Sequence, residues 1–132
     1  EPVAGWKVSA SNGLTRGAIL ASRLHASPAV LPASGLAPYG IEGEIAFEIL
    51  RDLPARQQPY TRGEVMDAVR PMAAIEIVST RFTSYTDAPL LDRLCDFMSN
   101  GALIHAAARE DWRSIDLATL PVRLTRNGEV AC

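Results

Sequence analysis

The segment from Gly40 to Ile49 most constrains the fold of this chain, because it reads as a β-strand with acid on one face. Glu42, Glu44 and Glu48 recur at a period of two, the spacing of side chains that share one face of a strand. Side chains two apart lie about 6.5 Å from each other along a strand, so Glu42 and Glu44 repel each other unless water or a cation lies between them. The opposite face is predicted to be core and consists of Ile41, Gly43, Ile45, Phe47 and Ile49.

A second strand is predicted from Met72 to Val78, a nearly continuous apolar run with Glu76 in its middle. A buried carboxylate costs several kcal/mol unless it is paired, protonated or bound to a metal, and this run contains no basic residue. If the two strands are neighbours, Glu42, Glu44 and Glu76 can converge on one divalent ion. Carboxylate oxygens suit magnesium, manganese or calcium.

The Glu-x-Glu pattern also has a simpler interpretation, a solvated face of an antiparallel sheet, and the motif alone favours that interpretation. Glu76 favours a site instead, because an acid in an apolar run needs a partner. The residues leave both interpretations open.

These segments together resemble a known group of enzymes. The matching segments are, in chain order, Gly-Ile-Glu-Gly-Glu-Ile-Ala-Phe, Ala-Ile-Glu-Ile-Val-Ser-Thr-Arg-Phe and Ser99-Asn100-Gly101-Ala102. They are similar to the 2-oxopent-4-enoate (2-hydroxypentadienoate) hydratases and 4-oxalocrotonate decarboxylases of the fumarylacetoacetate hydrolase superfamily. The resemblance implies magnesium or manganese at Glu42, Glu44 and Glu76, a proton-transferring lysine at Lys7, and substrate contacts from Ser99 and Asn100. Without the resemblance, a lysine on a strand face is most often solvated.

The chain departs from this group in several places. Where the group carries a Pro-Asp-aromatic-Gly segment, this sequence has His25-Ala26-Ser27-Pro28, and His25 could take over proton transfer or be a surface residue. Ser79 stands where an aspartate is common, and Cys95-Asp96-Phe97 alters an acid-bearing pattern. Family members are also about twice as long. We therefore expect residues 1–132 to form a single catalytic-type domain that is incomplete at both ends.

Composition excludes some classes of partner. The chain has 13 Lys and Arg against 15 Asp and Glu, with a net charge of −2 and no basic cluster, so a nucleic-acid role is not expected. The sequence contains no apolar run of the roughly 20 residues that a membrane span needs. The start of the sequence does not resemble a signal peptide, so a cytoplasmic protein is predicted.

Local signals predict the remaining elements. Thr61-Arg62-Gly63-Glu64 is a capping box and predicts a helix that Pro71 ends. Asp87 is predicted to cap a second helix, and the apolar stripe of that helix is predicted to lie in the core. A short helix is predicted near residues 17–24, and Asn127-Gly128 predicts a hairpin. The strand-helix-strand order between the acidic strands allows parallel pairing.

We predict an α+β fold with a mixed, strongly bent β-sheet of the fumarylacetoacetate hydrolase type and two or three short helices. The expected function is a divalent-metal-dependent lyase, hydratase-like, acting on a small-molecule 2-oxo or 2-hydroxydienoate acid in aromatic catabolism, in a homo-oligomer. A decarboxylase or C–C bond hydrolase of the same superfamily fits the same metal chemistry. An inactive homologue or fragment that binds metal or a full-length partner is a third interpretation.

Overall fold

The computed structural model describes residues 1–9 and 14–131, so the predicted strand residue Ala10 lies outside the described part. Strands predominate, and the two α-helices are short, which confirms the α+β class. The strands are β1 Val3–Ser9, β2 Thr15–Leu20, β3 Leu24–Ala26, β4 Pro38–Ile49, β5 Val69–Ser79, β6 Asn100–His105, β7 Thr125–Arg126 and β8 Glu129–Val130. The helices are α1 Arg62–Met66 and α2 Leu90–Cys95, with short 3-10 turns at Ala21–Arg23 and Phe97–Ser99.

The central sheet has four strands in the order β3-β6-β5-β4. It is mixed, because β3 and β6 are parallel while β5 is antiparallel to both β6 and β4. The parallel pairing that strand order allowed for the two acidic strands is therefore wrong. A helix of five residues rises only about 7.5 Å and cannot return along the 12 residues of β4.

The hairpin of β1 and β2 packs on the acidic face of this sheet. Ile19 of β2 forms a buried cluster with Ala74 and Leu103, and Ala46 packs against it from β4. Ala46 belongs to the same face as Glu42 and Glu44, so the acidic face carries the core.

The prediction that the apolar face of β4 is core is correspondingly wrong. Ile41 is 52% exposed and Ile49 61% exposed, and Phe47 keeps 44% of its surface although it meets Trp112 edge-on. A period of two separates the faces of a strand but does not say which face another layer will cover. Here the covering layer brings a lysine to the acids.

Local signals gave mixed results for the helices. The capping box is confirmed, since Thr61 accepts from the Glu64 N–H and the Glu64 carboxylate accepts from the Thr61 N–H. The predicted end of this helix at Pro71 is wrong, because α1 ends at Met66 and Pro71 lies in β5. The helix predicted near residues 17–24 is wrong, because that stretch forms β2, a 3-10 turn and the start of β3. Pro89, not Asp87, precedes α2. The prediction that the apolar stripe of α2 lies in the core is wrong at Leu91, which is 74% exposed.

The hairpin predicted at Asn127-Gly128 is confirmed between β7 and β8. Both turn residues have positive φ, 53° at Asn127 and 86° at Gly128, as a two-residue hairpin turn of this type requires. Within the described residues, no helix combines the length and the apolar character that crossing a bilayer would demand.

Candidate functional site

Glu76 is the centre of the candidate site. It lies in the middle of β5, where it pairs with Glu42 on one side and Leu103 on the other. Its side chain is fully buried, as the apolar run around it predicts. A carboxylate in this position requires charge or hydrogen bonds to replace the water that it has lost.

Lys7 supplies most of that compensation. Its Nζ lies 2.7 Å from Glu76 Oε1 and 2.6 Å from Oε2, so one ammonium group donates to both oxygens. The amide of Asn100 donates to Oε1 at 2.9 Å. Lys7 comes from β1 and Asn100 from the start of β6, so three distant segments of the chain meet at one carboxylate.

A left-handed backbone segment completes the surroundings of Lys7. Phe97, Met98 and Ser99 have φ of 53°, 53° and 62°, a region that residues other than glycine seldom adopt. This segment turns the Met98 carbonyl toward Lys7, whose Nζ donates to it at 3.2 Å. Gly17 makes the approach of β2 feasible, because a Cβ there would lie 2.5 Å from the Phe97 oxygen.

A buried aspartate holds this segment in place. Asp96 accepts from the Thr80 hydroxyl at 2.8 Å and from Arg81 Nε. Arg81 also donates to the carbonyl oxygens of Asp96 at 2.6 Å and of Asn100 at 3.0 Å. The guanidinium thus bridges both ends of the left-handed segment. It fixes the backbone that presents Met98 and Asn100 to the site.

Glu42 and Glu44 add two further carboxylates beside Glu76. One oxygen from each of the three acids lies within 4.8 Å of the others. Burial raises the pKa of Glu44, and the negative charges of Glu76 and Glu42 raise it further, while Lys7 opposes them. Three converging carboxylate oxygens, one of them fully buried, are a donor set that fits a hard divalent cation.

Glu44 of the cluster and Lys7 line a large open cleft of about 1170 Å³ between the hairpin and the sheet. Lys7, Glu44, Glu48 and His105 contribute its ionisable side chains. Much of the remaining lining is apolar and includes Ile19, Leu24, Ala46, Met72 and Leu103. A largely apolar wall with a few ionisable side chains can orient a small organic acid.

The structure brings together Lys7, Glu42, Glu44, Glu76 and Asn100, five of the six residues singled out from the sequence. The sixth, Ser99, is buried in the left-handed segment, where its N–H donates to the Asp96 carbonyl at 2.8 Å. The roles of all six stay predictions.

His25 lies away from this cluster. It pairs with Ile104, which alternates with Leu103 of the acidic face, so His25 belongs to the opposite face. Its suggested proton transfer at this site is therefore not supported by its position.

Sequence reasoning missed the Met98 carbonyl, the Asp96–Arg81 pair as a support, and His105. A backbone oxygen has no sequence signal, and residues other than glycine give no warning of positive φ. His105 could have been noticed, because alternation from Leu103 places it on the acidic face.

Comparison with known proteins finds curated relatives of this chain. No protein-family model matches the chain. A 2-keto-4-pentenoate hydratase of Paraburkholderia phymatum is 29% identical over 115 residues, covering 86% of this chain and 43% of that protein. The protein of that name from Burkholderia vietnamiensis is 30% identical over 115 residues, with the same coverage of 86% and 43%.

A 2-hydroxyhexa-2,4-dienoate hydratase of Comamonas testosteroni is 34% identical over 103 residues, 76% of this chain and 38% of that protein. The resemblance drawn from the motifs is thus confirmed, and the chain is related to the dienoate hydratases. It spans less than half the length of these relatives.

Proposed function

We propose that this chain carries the metal centre of a hydratase that acts on a 2-hydroxydienoate or the corresponding 2-oxo acid. The observation that carries the proposal is the fully buried Glu76, which has a carboxylate oxygen of Glu42 and of Glu44 within 4.8 Å. Glu44 also lines the cleft. Relatives named as hydratases of such acids support the substrate class.

Magnesium or manganese would be held by Glu42, Glu44 and Glu76. When bound, the cation would supply positive charge that stabilises an enolate of the substrate. The Lys7 ammonium occupies both Glu76 oxygens, so Lys7 would have to release Glu76 for that carboxylate to serve as a ligand. Lys7, freed from that ion pair, would hold or move a proton at Nζ, while Asn100 keeps Glu76 oriented through Oε1. Ser99 and Asn100 would contribute to binding the substrate.

A second candidate is a homologue that works without metal, in which Lys7 permanently replaces the cation. The specific support is the ion pair itself, since Lys7 and Asn100 already satisfy Glu76. The two candidates differ in whether a divalent ion can displace the ammonium.

Metal titration by calorimetry separates them. The wild-type chain should bind magnesium or manganese, and Glu76→Gln should abolish that binding. Glu48→Gln is the matched control, because Glu48 shares the face of β4 but lies outside the cluster of three. The same three proteins are then assayed with 2-hydroxypenta-2,4-dienoate, with and without chelator. Equal metal affinity in Glu76→Gln and wild type would remove the three-carboxylate site.

Self-association, expected from exposed sheet edge and apolar surface, stays a prediction. The exposed apolar side chains of Ile41, Phe47, Ile49 and Ile75 support it, because monomers rarely expose large contiguous apolar patches. Light scattering of the chain in solution measures its mass, and a monomer at all concentrations would contradict this expectation.

A further inference from the structure

His105 lies on the wall of the cleft in a row with a member of the acidic cluster. Ala74 of β5 pairs with His105 on one side and with Glu44 on the other. Residues directly opposite each other in antiparallel strands share a face of the sheet. His105 is therefore on the acidic face, half-buried, and lines the same cleft as Lys7 and Glu44.

A hydrogen bond indicates which nitrogen of His105 carries the hydrogen in the neutral ring. Nδ1 lies 3.0 Å from the Ala106 carbonyl oxygen. A carbonyl oxygen only accepts, so Nδ1 carries the hydrogen and Nε2 of the neutral ring has a free lone pair. This arrangement is the one that a proton acceptor requires.

The separation between His105 and the cluster suits a short substrate. Two neighbouring strand spacings of about 4.8 Å each separate the backbones of Glu44 and His105. From Leu103, the partner of Glu76, His105 is two residues or about 6.6 Å farther along β6. A short conjugated acid that lies in the cleft between Glu44 and His105, together with one water molecule, has about this length.

The other ionisable side chains of the cleft are less suited to this task. Among the described residues these are Lys7, Glu44 and Glu48. The proposed function already gives Lys7 a proton-transfer role beside Glu76, and Glu44 belongs to the cluster. Glu48 lies farther along β4, opposite Arg70.

We propose that His105 is a catalytic residue that accepts the proton of the water molecule added to the substrate. This inference rests on the proposed hydratase function. The water oxygen bonds to C4 of the 2-oxo-3-enoate, and the C3–C4 π pair moves toward C3 and the 2-oxo oxygen. An O–H bond of the water breaks as its proton passes to Nε2. The imidazolium then returns a proton to C3, which leaves a 4-hydroxy-2-oxo acid and a neutral ring.

The matched pair of variants is His105→Gln and His25→Gln. The chain has two histidines, and His25 lies on the opposite face of the same sheet. Glutamine keeps a polar side chain of similar size but cannot take up the proton. Two reactions are followed, ketonisation of 2-hydroxypenta-2,4-dienoate and hydration of 2-oxopent-3-enoate. In His105→Gln, hydration should fall about 10²-fold or more, the usual scale for acid–base groups, while ketonisation persists. His25→Gln should retain both.

Hydration at the wild-type rate by His105→Gln would overturn the proposal. If the wild type catalyses neither reaction, the hydratase function fails, and NMR of the two imidazoles still tests contact with the ligand. Magnesium and 2-oxobutanoate should then shift the His105 ring signals and leave those of His25 in place, with each signal assigned from its variant. Unmoved His105 signals would also overturn the inference.

Discussion

Two of the carboxylate–cation pairs among the described residues have nearly equal length but opposite settings. Lys7 and Glu76 lie 2.6 Å apart with side chains 20% and 1% exposed, while Arg56 and Glu64 lie 2.7 Å apart with side chains 37% and 40% exposed. The first pair joins residues 69 positions apart and the second joins residues 8 apart. The N–O distance alone therefore does not distinguish an ion pair in a candidate site from one that stabilises local structure.

The exposed pair belongs to the start of α1. Glu64 serves the capping box, and Arg56 holds its carboxylate while the guanidinium stacks 3.7 Å from the Tyr60 ring centre. Water can replace any of these contacts, so the pair stabilises a local turn of chain. Water cannot replace the contacts of the buried pair in the same way. Removing that pair should therefore destabilise the packing of the hairpin on the sheet.

Removing Lys7 should give the largest effect. Lys7→Met leaves Glu76 buried without its cation, and the metal-free protein should lose about 3 kcal/mol of unfolding free energy at neutral pH. Lys7→Met with Glu76→Gln should recover much of that loss, because the uncompensated charge is then gone. Urea unfolding of wild type, both single variants and the double variant forms a double-mutant cycle, which measures the interaction between Lys7 and Glu76. Additive losses would mean that the two side chains do not depend on each other.

Metal should substitute for Lys7 if the cluster binds it. Magnesium at about 100 times its dissociation constant should add roughly 2.7 kcal/mol to wild type by mass action. Lys7→Met should bind the ion more tightly than wild type, because the ammonium no longer competes for Glu76. Thermal unfolding with and without magnesium measures both effects. Glu48→Gln is the control, and magnesium should stabilise it as much as it stabilises wild type. If Lys7→Met binds magnesium more weakly than wild type, Lys7 does not compete with the ion for Glu76.

The sequence predicts the exposed structure at the start of α1 far better than the buried Lys7–Glu76 pair. The capping box and the Asn127-Gly128 hairpin depend on neighbours in the chain, and both formed as expected. The need of Glu76 for a partner also followed from its apolar run. The identity of that partner did not, because Lys7 reaches it only after the hairpin packs on the acidic face. Nor could a pattern of residues other than glycine predict the positive φ at Met98.

Weakening the cap should have a moderate and local effect. Thr61→Ala removes the hydroxyl that accepts from the Glu64 N–H and donates to the Glu64 carboxylate. The expected loss is about 1 kcal/mol of unfolding free energy, the typical value for an N-cap. Thr61→Ser keeps a hydroxyl and should retain most of the stability in urea unfolding. Metal affinity should not change in either variant, since the cap lies apart from the cluster.

The smallest effect should come from the charge on Glu64, and pH reveals it. The Arg56 side chain, followed by the backbone and hydroxyl of Thr61, lowers the pKa of Glu64 from 4.5 to about 2. A carboxyl with a lowered pKa in the folded state binds fewer protons than in the unfolded state. Its stabilisation is therefore present above pH 4.5 and is lost as pH falls toward 2. The difference in urea midpoint between wild type and Glu64→Gln should shrink over this interval, and Arg56→Met should weaken the same dependence. A difference that stays constant with pH would show that the ionised carboxylate of Glu64 contributes nothing to the cap, and the contrast with Glu76 would then rest on burial alone.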